Sequence, residues 1–301
     1  MGRMLNVHRG DMMFIVNSKY VNNGVVDCKM IREEVLQEVK EDIEYLPSKP
    51  TLGIFTIGTD DASKVYVRNK VKTAQDLGIE VSHVTLDETL TQQEVEKQML
   101  MEMPMYDAVM LQLPIPDKFD KDKLINLIPP CKDVDGLTDY NMGKLVNGRE
   151  DAIVPATAQG VYEIIKRVIG KSDLSGFNIA VVNRSQLIGK PLQALLTNNN
   201  GTVSLCHSKT HLHTQFDKAD IIVTGVGKPR IFNCFNLFRK QLIIDCGINR
   251  DENGKLCGDV DSESVVQYNE EVFVTPVPGG VGLLTVACLM SNVVKCYELQ
   301  R

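Results

Sequence analysis

The sequence has no Cys-x-x-Cys pair, no excess of positive charge, no low-complexity tract and, near its N-terminus, no apolar run of membrane-spanning length. Each absence closes a class of function. Eight cysteines (Cys28, Cys131, Cys206, Cys234, Cys246, Cys257, Cys288 and Cys296) are scattered without the spacing of a zinc ribbon or a thiol redox motif. Reduced thiols and a cytoplasmic location are the expectation. A formal net charge of -6 argues against a general nucleic-acid binder, which neutralises phosphates with surplus Lys and Arg. An anionic ligand must therefore meet a local basic patch. No Pro/Ser/Gly-rich stretch suggests disorder, and no internal repeat of solenoid period is present. Met12 to Val16 is too short for a signal core or a membrane span, and Asn6 breaks the myristoylation pattern after Gly2. Residues 1–16 read as a loosely attached extension. Arg3 and Arg9 would suit a mitochondrial presequence, but Asp11 opposes that reading. Neither a membrane nor a nucleic acid is expected as partner.

What is present is enough chain for two domains: 301 residues, 43% apolar and 24% charged. From Thr51 the pattern runs TLGIFTIG, SKVYVRNKVKTAQDLG, IEVSHVTL, TQQEVEKQMLMEM, DAVMLQLPIP. Short apolar runs alternate with helix-length charged stretches, which predicts βαβ units in a parallel sheet. The first helix is expected to start near Ser63, after the polar run Thr59-Asp60-Asp61, and to stop at Gly78. After a polar stretch around Gly148 to Asp151, FNIAVVN, GTVSLC, ADIIVTGV, QLIIDCG and EVFVTPV predict five more strands, with helices from Lys190 and around Asp217. The final stretch LLTVACLMSNVVKCYELQ has helix length and an apolar face, so it can return to pack on the first lobe.

Several segments carry chemistry. Asn183 to Pro191 follows a strand and opens a helix, where pyrophosphate binds in dinucleotide folds. It lacks the G-x-G-x-x-G pattern, so by itself a tight structural turn remains as good a reading. His207-Ser208-Lys209 follows the next strand in place of the acid that holds a free ribose hydroxyl, and with Arg184 it favours a 2'-phosphate, hence NADP over NAD. Cys206, His207, His211 and His213 invite a zinc reading, but all lie within eight residues, whereas zinc ligands come from two separated pairs. No metal is expected. Tyr66 and Lys70 stand four apart on one helix face, and Arg68, Lys70 and Lys72 read as a solvated basic face unless one lysine is buried. Gln112 ends an apolar strand, where open α/β sheets meet ligands. Of Asp133 and Asp135, one is a turn former beside Gly136. TPVPGGVGLLT places two Pro and three Gly within seven residues, which predicts a loop that lets backbone approach a ligand, or a domain junction.

YVRNK, LQLPIP, KDVDGL, VVNRSxxIGKP, TVSLCHSKT, GVGKP, DCGIN, GDVD and TPVPGGVG, in that order, resemble the bifunctional methylenetetrahydrofolate dehydrogenase/cyclohydrolase family from about Val21 to the C-terminus. The resemblance implies a two-lobed α/β protein: an N-terminal catalytic domain (17–147 plus 285–301), a Rossmann-like NADP-binding domain (148–284), a folate cleft between them and a homodimer formed through the Rossmann lobe. It implies NADP-dependent oxidation of methylenetetrahydrofolate and hydrolysis of the methenyl product, as in purine biosynthesis. On matching positions Lys70 is the main hydrolytic residue, Gln112 assists it, Tyr66 stacks on or hydrogen-bonds the folate, and Asp135 holds the pterin. Leu111, Leu113, Pro278, Gly279, Gly280, Val281, Gly282 and Thr285 line the folate site, within a loop running from Pro278 to Val286. Asn183, Arg184, Ser185, Ser208 and Ile248 contact the cofactor. Asn183 departs from the Gly that opens the family's cofactor turn, Leu283 from a Pro in the folate loop, and PATAQG lacks the family's Cys and second Pro. Asn adopts φ > 0 more readily than other non-glycine residues, so the turn is expected to keep its shape. A cyclohydrolase with little dehydrogenase activity and a folate-binding protein without catalysis are the competing readings, and the presence of Lys70 opposes the latter.

Overall fold

The computed structural model describes residues 4–9, 12–58, 61–237, 241–269 and 271–301, with the backbone alone for 4–15, 61–63 and 65. Gly2, Arg3, Asp11, Thr59 and Asp60, each used in the sequence reading, lie outside the described residues. The described residues open with strands β1 (Met4–Arg9) and β2 (Met12–Asn17), which pair antiparallel with each other as a separate two-stranded sheet in the stretch read on sequence as an extension. Two short strands, β3 (Val21–Asn22) and β4 (Val25–Val26), lead into helix α1 (Cys28–Glu44).

The next segment follows the alternation read from the sequence: β5 (Thr51–Ile57), α2 (Asp61–Asp76), β6 (Glu80–Leu86), α3 (Gln92–Glu102), β7 (Ala108–Leu111), and then two short helices, α4 (Lys121–Asn126) and α5 (Asp139–Val146). The three strands form a parallel sheet in the order β6-β5-β7. Central β5 is buried from Leu52 to Ile57, as a strand covered on both faces must be. One face packs Phe55, Ile57, Val109 and Leu111 against Val95, Met99 and Met103. Tyr106 meets Phe55 edge to face, 6.3 Å between ring centres, and a Cβ on Gly53 would come within 2.5 Å of the Tyr106 ring, so β5 needs Gly there. Helix α3 starts with a reciprocal cap between Thr91 and Glu94. Gly78, at φ +86°, closes the turn after α2 as expected.

The remainder runs through α6 (Ala156–Ile169), β8 (Asn178–Val182), α7 (Gly189–Asn198), β9 (Thr202–Cys206), α8 (Leu212–Phe216), β10 (Ile221–Thr224), β11 (Gln241–Asp245), β12 (Asn249–Arg250), β13 (Leu256–Cys257), α9 (Ser262–Tyr268), β14 (Val272–Val274) and α10 (Val281–Glu298). The sheet order is β3-β4-β14-β11-β10-β8-β9, parallel except for β3 against β4. Strand β10 is buried throughout. Ile222, Ile243 and Val274 pack with Phe216 and Phe232, whose rings meet at 73°.

Two compact units result: Met1–Glu33 with Thr157–Thr285, and Glu34–Ala156 with Val286–Arg301. This division differs from the one drawn on sequence in three places: 1–33 falls with the second α/β segment, where β4 adds to β14 through Val25 and Val274, 148–156 stays with the first, and Thr285 falls with the second. The end of α10 belongs to the first α/β segment. There Asn292 donates to the Val134 and Val154 carbonyls, both at 2.9 Å, and Lys295 donates to those of Glu150 and Ala152, both at 2.8 Å. Helix α10 is long and apolar enough to cross a membrane, yet 61% of it is buried, as in a core helix.

Candidate active site

Of the three basic residues Arg68, Lys70 and Lys72 on α2, only Lys70 turns inward. Its Nζ donates to Gln112 Oε1 at 3.0 Å and stands 3.8 Å from Met110 Sδ. Gln112 follows β7 directly, and its backbone N–H donates to the Phe55 carbonyl at 2.8 Å, so the sheet itself fixes where its side chain starts. The other end of the carboxamide donates to the Leu113 carbonyl at 2.6 Å, before the cis peptide Leu113-Pro114. Both polar atoms of Gln112 are thus engaged. Burial pulls the Lys70 amine below the ordinary lysine range, and the Asp135 charge opposes that only in part. The carboxyl of Asp135 is pushed up by burial, held down by Lys70 and raised again by Asp133. The result is an amine that gives up its proton more easily than a surface lysine.

The structure also separates the two acids left open on sequence. Asp133 is buried and accepts from the backbone of Leu137 at 3.2 Å, the backbone of Thr138 at 2.9 Å and Asn141 Nδ2 at 2.9 Å. It is the turn former. Gly136 adopts φ +66°, and a Cβ there would fall 2.6 Å from the Ile153 carbonyl, so the turn is held tightly against the segment that follows α5. That leaves Asp135 as the acid coupled to Lys70. Tyr66 lies one turn before Lys70 with 49% of its surface exposed, available to a planar ligand. Leu111 is buried in the sheet and Leu113 packs beside the core, on either side of Gln112 in the chain.

In the other unit β8 and β9 run parallel with Val182 opposite Cys206, so Asn183-Arg184-Ser185 and His207-Ser208-Lys209 leave adjacent strand ends. Arg184, Ser185, Ser208 and Lys209 are exposed there. This is the expected crevice for a dinucleotide, and Arg184 can reach solvent from it. The expectation for Asn183 needs correction: its φ is not positive, so the turn does not depend on that tolerance. The side chain has another task. Asn183 Oδ1 accepts from the backbone of Ser185 at 2.7 Å and of Gly189 at 3.1 Å, while Nδ2 donates to the Gly225 carbonyl at 2.6 Å. A Cβ at Gly189 would sit 1.8 Å from the Asn183 carbonyl oxygen, so only glycine permits this turn.

Two acids that the sequence reading passed over shape the neighbouring loops. Asp245, at the end of β11, accepts from the backbones of Gly247 at 2.8 Å, Asp259 at 3.1 Å and Val260 at 2.8 Å; its burial pushes its carboxyl up to about 6 against those donors. Asp259 accepts from Gly227 at 3.0 Å, Lys228 at 3.1 Å and Asn249 Nδ2 at 2.9 Å. The motifs GVGKP, DCGIN and GDVD are therefore one knitted structure that presents Ile248, 60% exposed. An Asp within two residues of a Gly in DCGIN and in GDVD was the available signal. Cys206 instead donates to the Ser204 carbonyl at 3.5 Å and His213 approaches Asp217 at 3.5 Å. Among the described residues no cluster of His, Cys, Asp or Glu is arranged to hold a metal.

The segment expected to be a loop from Pro278 to Val286 is shorter. Helix α10 already begins at Val281, so only Pro278, Gly279 and Gly280 stay outside it, while Val281, Gly282 and Thr285 occupy its first turns. Gly279 adopts φ +99°, and a Cβ at Gly280 would lie 2.2 Å from the Pro276 carbonyl, so the chain folds back on itself and can enter a helix at once. Thr285 Oγ1 donates to Val281 O at 3.2 Å and to Thr157 Oγ1 at 3.3 Å.

Residues 26–135 match the family model for the tetrahydrofolate dehydrogenase/cyclohydrolase catalytic domain, and residues 155–301 the one for its NAD(P)-binding domain. The bifunctional protein FolD of Acetivibrio thermocellus is 40% identical over 95% of this chain and 99% of its own. The bifunctional FolD structure from Campylobacter jejuni is similar with a TM-score of 0.85 at 33% identity, over 92% of this chain and 99% of that one. The Trypanosoma brucei dehydrogenase-cyclohydrolase, solved with NADP cofactor and inhibitor, has a TM-score of 0.82 at 31% identity, over 92% and 97% of the two chains.

Proposed function

This chain belongs to the tetrahydrofolate dehydrogenase/cyclohydrolase family, and from that premise we infer which of its residues carry each reaction. It is a bifunctional enzyme that oxidises methylenetetrahydrofolate with NADP and hydrolyses the methenyl product to formyltetrahydrofolate. The observation that carries the residue assignment is the inward Lys70 held by Gln112 at 3.0 Å.

In hydrolysis a water oxygen bonds to the methenyl carbon and Lys70, as the neutral amine, takes the proton that the water loses. The carbon–nitrogen bond then breaks: the Lys70 ammonium returns that proton to the departing nitrogen, and the hydroxyl proton of the adduct passes to solvent as the formyl carbonyl forms, so one proton is released overall. Gln112 keeps Nζ in place, Asp135 holds the pterin and balances the ammonium, and Tyr66 offers its exposed ring to the folate. In the other unit, Pro278, Gly279, Gly280, Val281, Gly282 and Thr285 are proposed as folate-contacting residues.

For oxidation, NADP when bound supplies the hydride acceptor. Arg184 and Ser208 would hold the 2'-phosphate, and Asn183, Ser185 and Ile248 would be the other residues that contact the cofactor. The exposed cations Arg184 and Lys209 at adjacent strand ends support NADP over NAD. The protein's contribution to that step is alignment, because hydride transfer between the rings requires no acid or base.

The reading extends to a homodimer joined through the NADP-binding unit, whose sheet ends in the strand β9, and to a cytoplasmic place in purine biosynthesis, consistent with eight free thiols. The deciding experiment mixes the protein with methylenetetrahydrofolate and NADP or NAD and follows methenyl absorbance and its decay. Rapid methenyl formation with NADP, slow formation with NAD, and decay that disappears in Lys70→Met are expected. Unchanged decay in Lys70→Met would remove Lys70 from the mechanism.

A further inference from the structure

At a dinucleotide turn, backbone N–H groups at the start of the helix are the donors that a pyrophosphate uses. Here those donors already have partners inside the protein. Asn183 Oδ1 takes the N–H of Ser185 at 2.7 Å and of Gly189 at 3.1 Å. The hydroxyl oxygen of Ser185 takes the N–H of Ile188 at 3.1 Å, and its carbonyl takes that of Lys190 at 3.0 Å. Pro191, the next residue, has no N–H to offer. A carboxamide oxygen therefore stands where a phosphate oxygen would, and Nδ2 ties it to the Gly225 carbonyl at 2.6 Å, at the end of β10.

We propose that Asn183 is a built-in competitor of the cofactor's pyrophosphate, so that NADP binds only by displacing the Asn183 carboxamide from the donors of Ser185 and Gly189. The inference rests on the reading that the dinucleotide binds at this turn. Its chemistry is specific to the pyrophosphate: the 2'-phosphate, met by Arg184 on the exposed rim, does not touch these donors. The exchange trades two neutral hydrogen bonds for two to an anion, which are stronger, so binding remains favourable but loses the part already satisfied internally. It also makes the anchoring of Gly225 dependent on cofactor occupancy, since the same side chain serves both.

The test is calorimetric titration of the full protein, and of Asn183→Gly and Arg184→Ala, with NADP and separately with adenosine 2'-monophosphate, which has the 2'-phosphate but no pyrophosphate. Asn183→Gly should bind NADP about tenfold more tightly, or ~1.4 kcal/mol, with adenosine 2'-monophosphate unchanged. Arg184→Ala should weaken both ligands. If Arg184→Ala weakens both but Asn183→Gly binds NADP no more tightly than the parent, the competitor role is wrong while the site stands. If Asn183→Gly tightens both ligands equally, the residue acts through general packing and the inference also fails. Should Arg184→Ala change neither affinity, the turn is not the dinucleotide site and both readings fall. Thermal melting verifies that each variant is folded, and Asn183→Ala, with the same expected tightening, replaces the glycine variant if that one melts early.

Discussion

Lys70 Nζ donates to Gln112 Oε1 at 3.0 Å, and the same Gln112 donates through Nε2 to the Leu113 carbonyl at 2.6 Å. The carboxamide is therefore locked in one orientation, with its oxygen toward the amine, and it can anchor Lys70 without competing for its proton.

Replacing Gln112 by Leu removes that anchor and leaves the buried amine without its acceptor. Methenyl hydrolysis should fall about tenfold to a hundredfold, chiefly in kcat, because a misplaced proton carrier costs rate more than binding. A stopped-flow measurement of methenyl decay checks this; a loss confined to KM would contradict the anchoring role.

The pH dependence follows from Asp135. Burial lowers the Lys70 pKa and Asp135 partly restores it, so removing the carboxylate lowers it further. The neutral amine is the working form, and hydrolysis declines as pH falls through the Lys70 pKa. In Asp135→Asn that acidic limb should move to lower pH, alongside a weaker hold on folate. A pH profile of kcat for hydrolysis shows the shift; movement toward higher pH would reverse the assigned coupling.

Gly189→Ala should abolish cofactor binding without touching any charge. The added methyl would lie 1.8 Å from the Asn183 carbonyl oxygen, a distance no packing tolerates, so the turn between β8 and α7 must open. NADP-dependent methenyl formation should drop by at least about a hundredfold, a barrier increase of ~2.7 kcal/mol; near-normal oxidation would mean that the turn is dispensable.

Arg184→Ala should raise the KM for NADP by about tenfold or more and leave that for NAD nearly unchanged, since only NADP carries the phosphate it meets. Steady-state oxidation with both cofactors measures the ratio, and equal changes would place the 2'-phosphate elsewhere.

How far the sequence reaches differs between elements. Strands β5, β8, β10 and β11 are near-continuous apolar runs, so their identity and their burial in parallel sheets are legible locally. The folding back of Val281 into a helix immediately after two glycines is not, because Pro and Gly say that the chain turns, not where regular hydrogen bonding resumes. Assignment of β3 and β4 to the larger sheet is equally hidden: two-residue strands have no periodicity, and only pairing of Val25 with Val274 places them.

The site divides the same way. Which side chains are present, and their order along the chain, is set by the sequence alone; that is enough to indicate two α/β lobes, a nucleotide turn and the family. Tertiary structure decided which lysine is buried, which of Asp133 and Asp135 is the turn former, and that Asn183 occupies the Ser185 and Gly189 donors of the turn leading into α7. The physical reason is common to all three. A lowered amine pKa, a satisfied carboxylate and an engaged carboxamide depend on neighbours brought in by the fold, Gln112 after β7 for Lys70, Asn141 on α5 for Asp133 and Gly225 after β10 for Asn183, and no local pattern records those encounters.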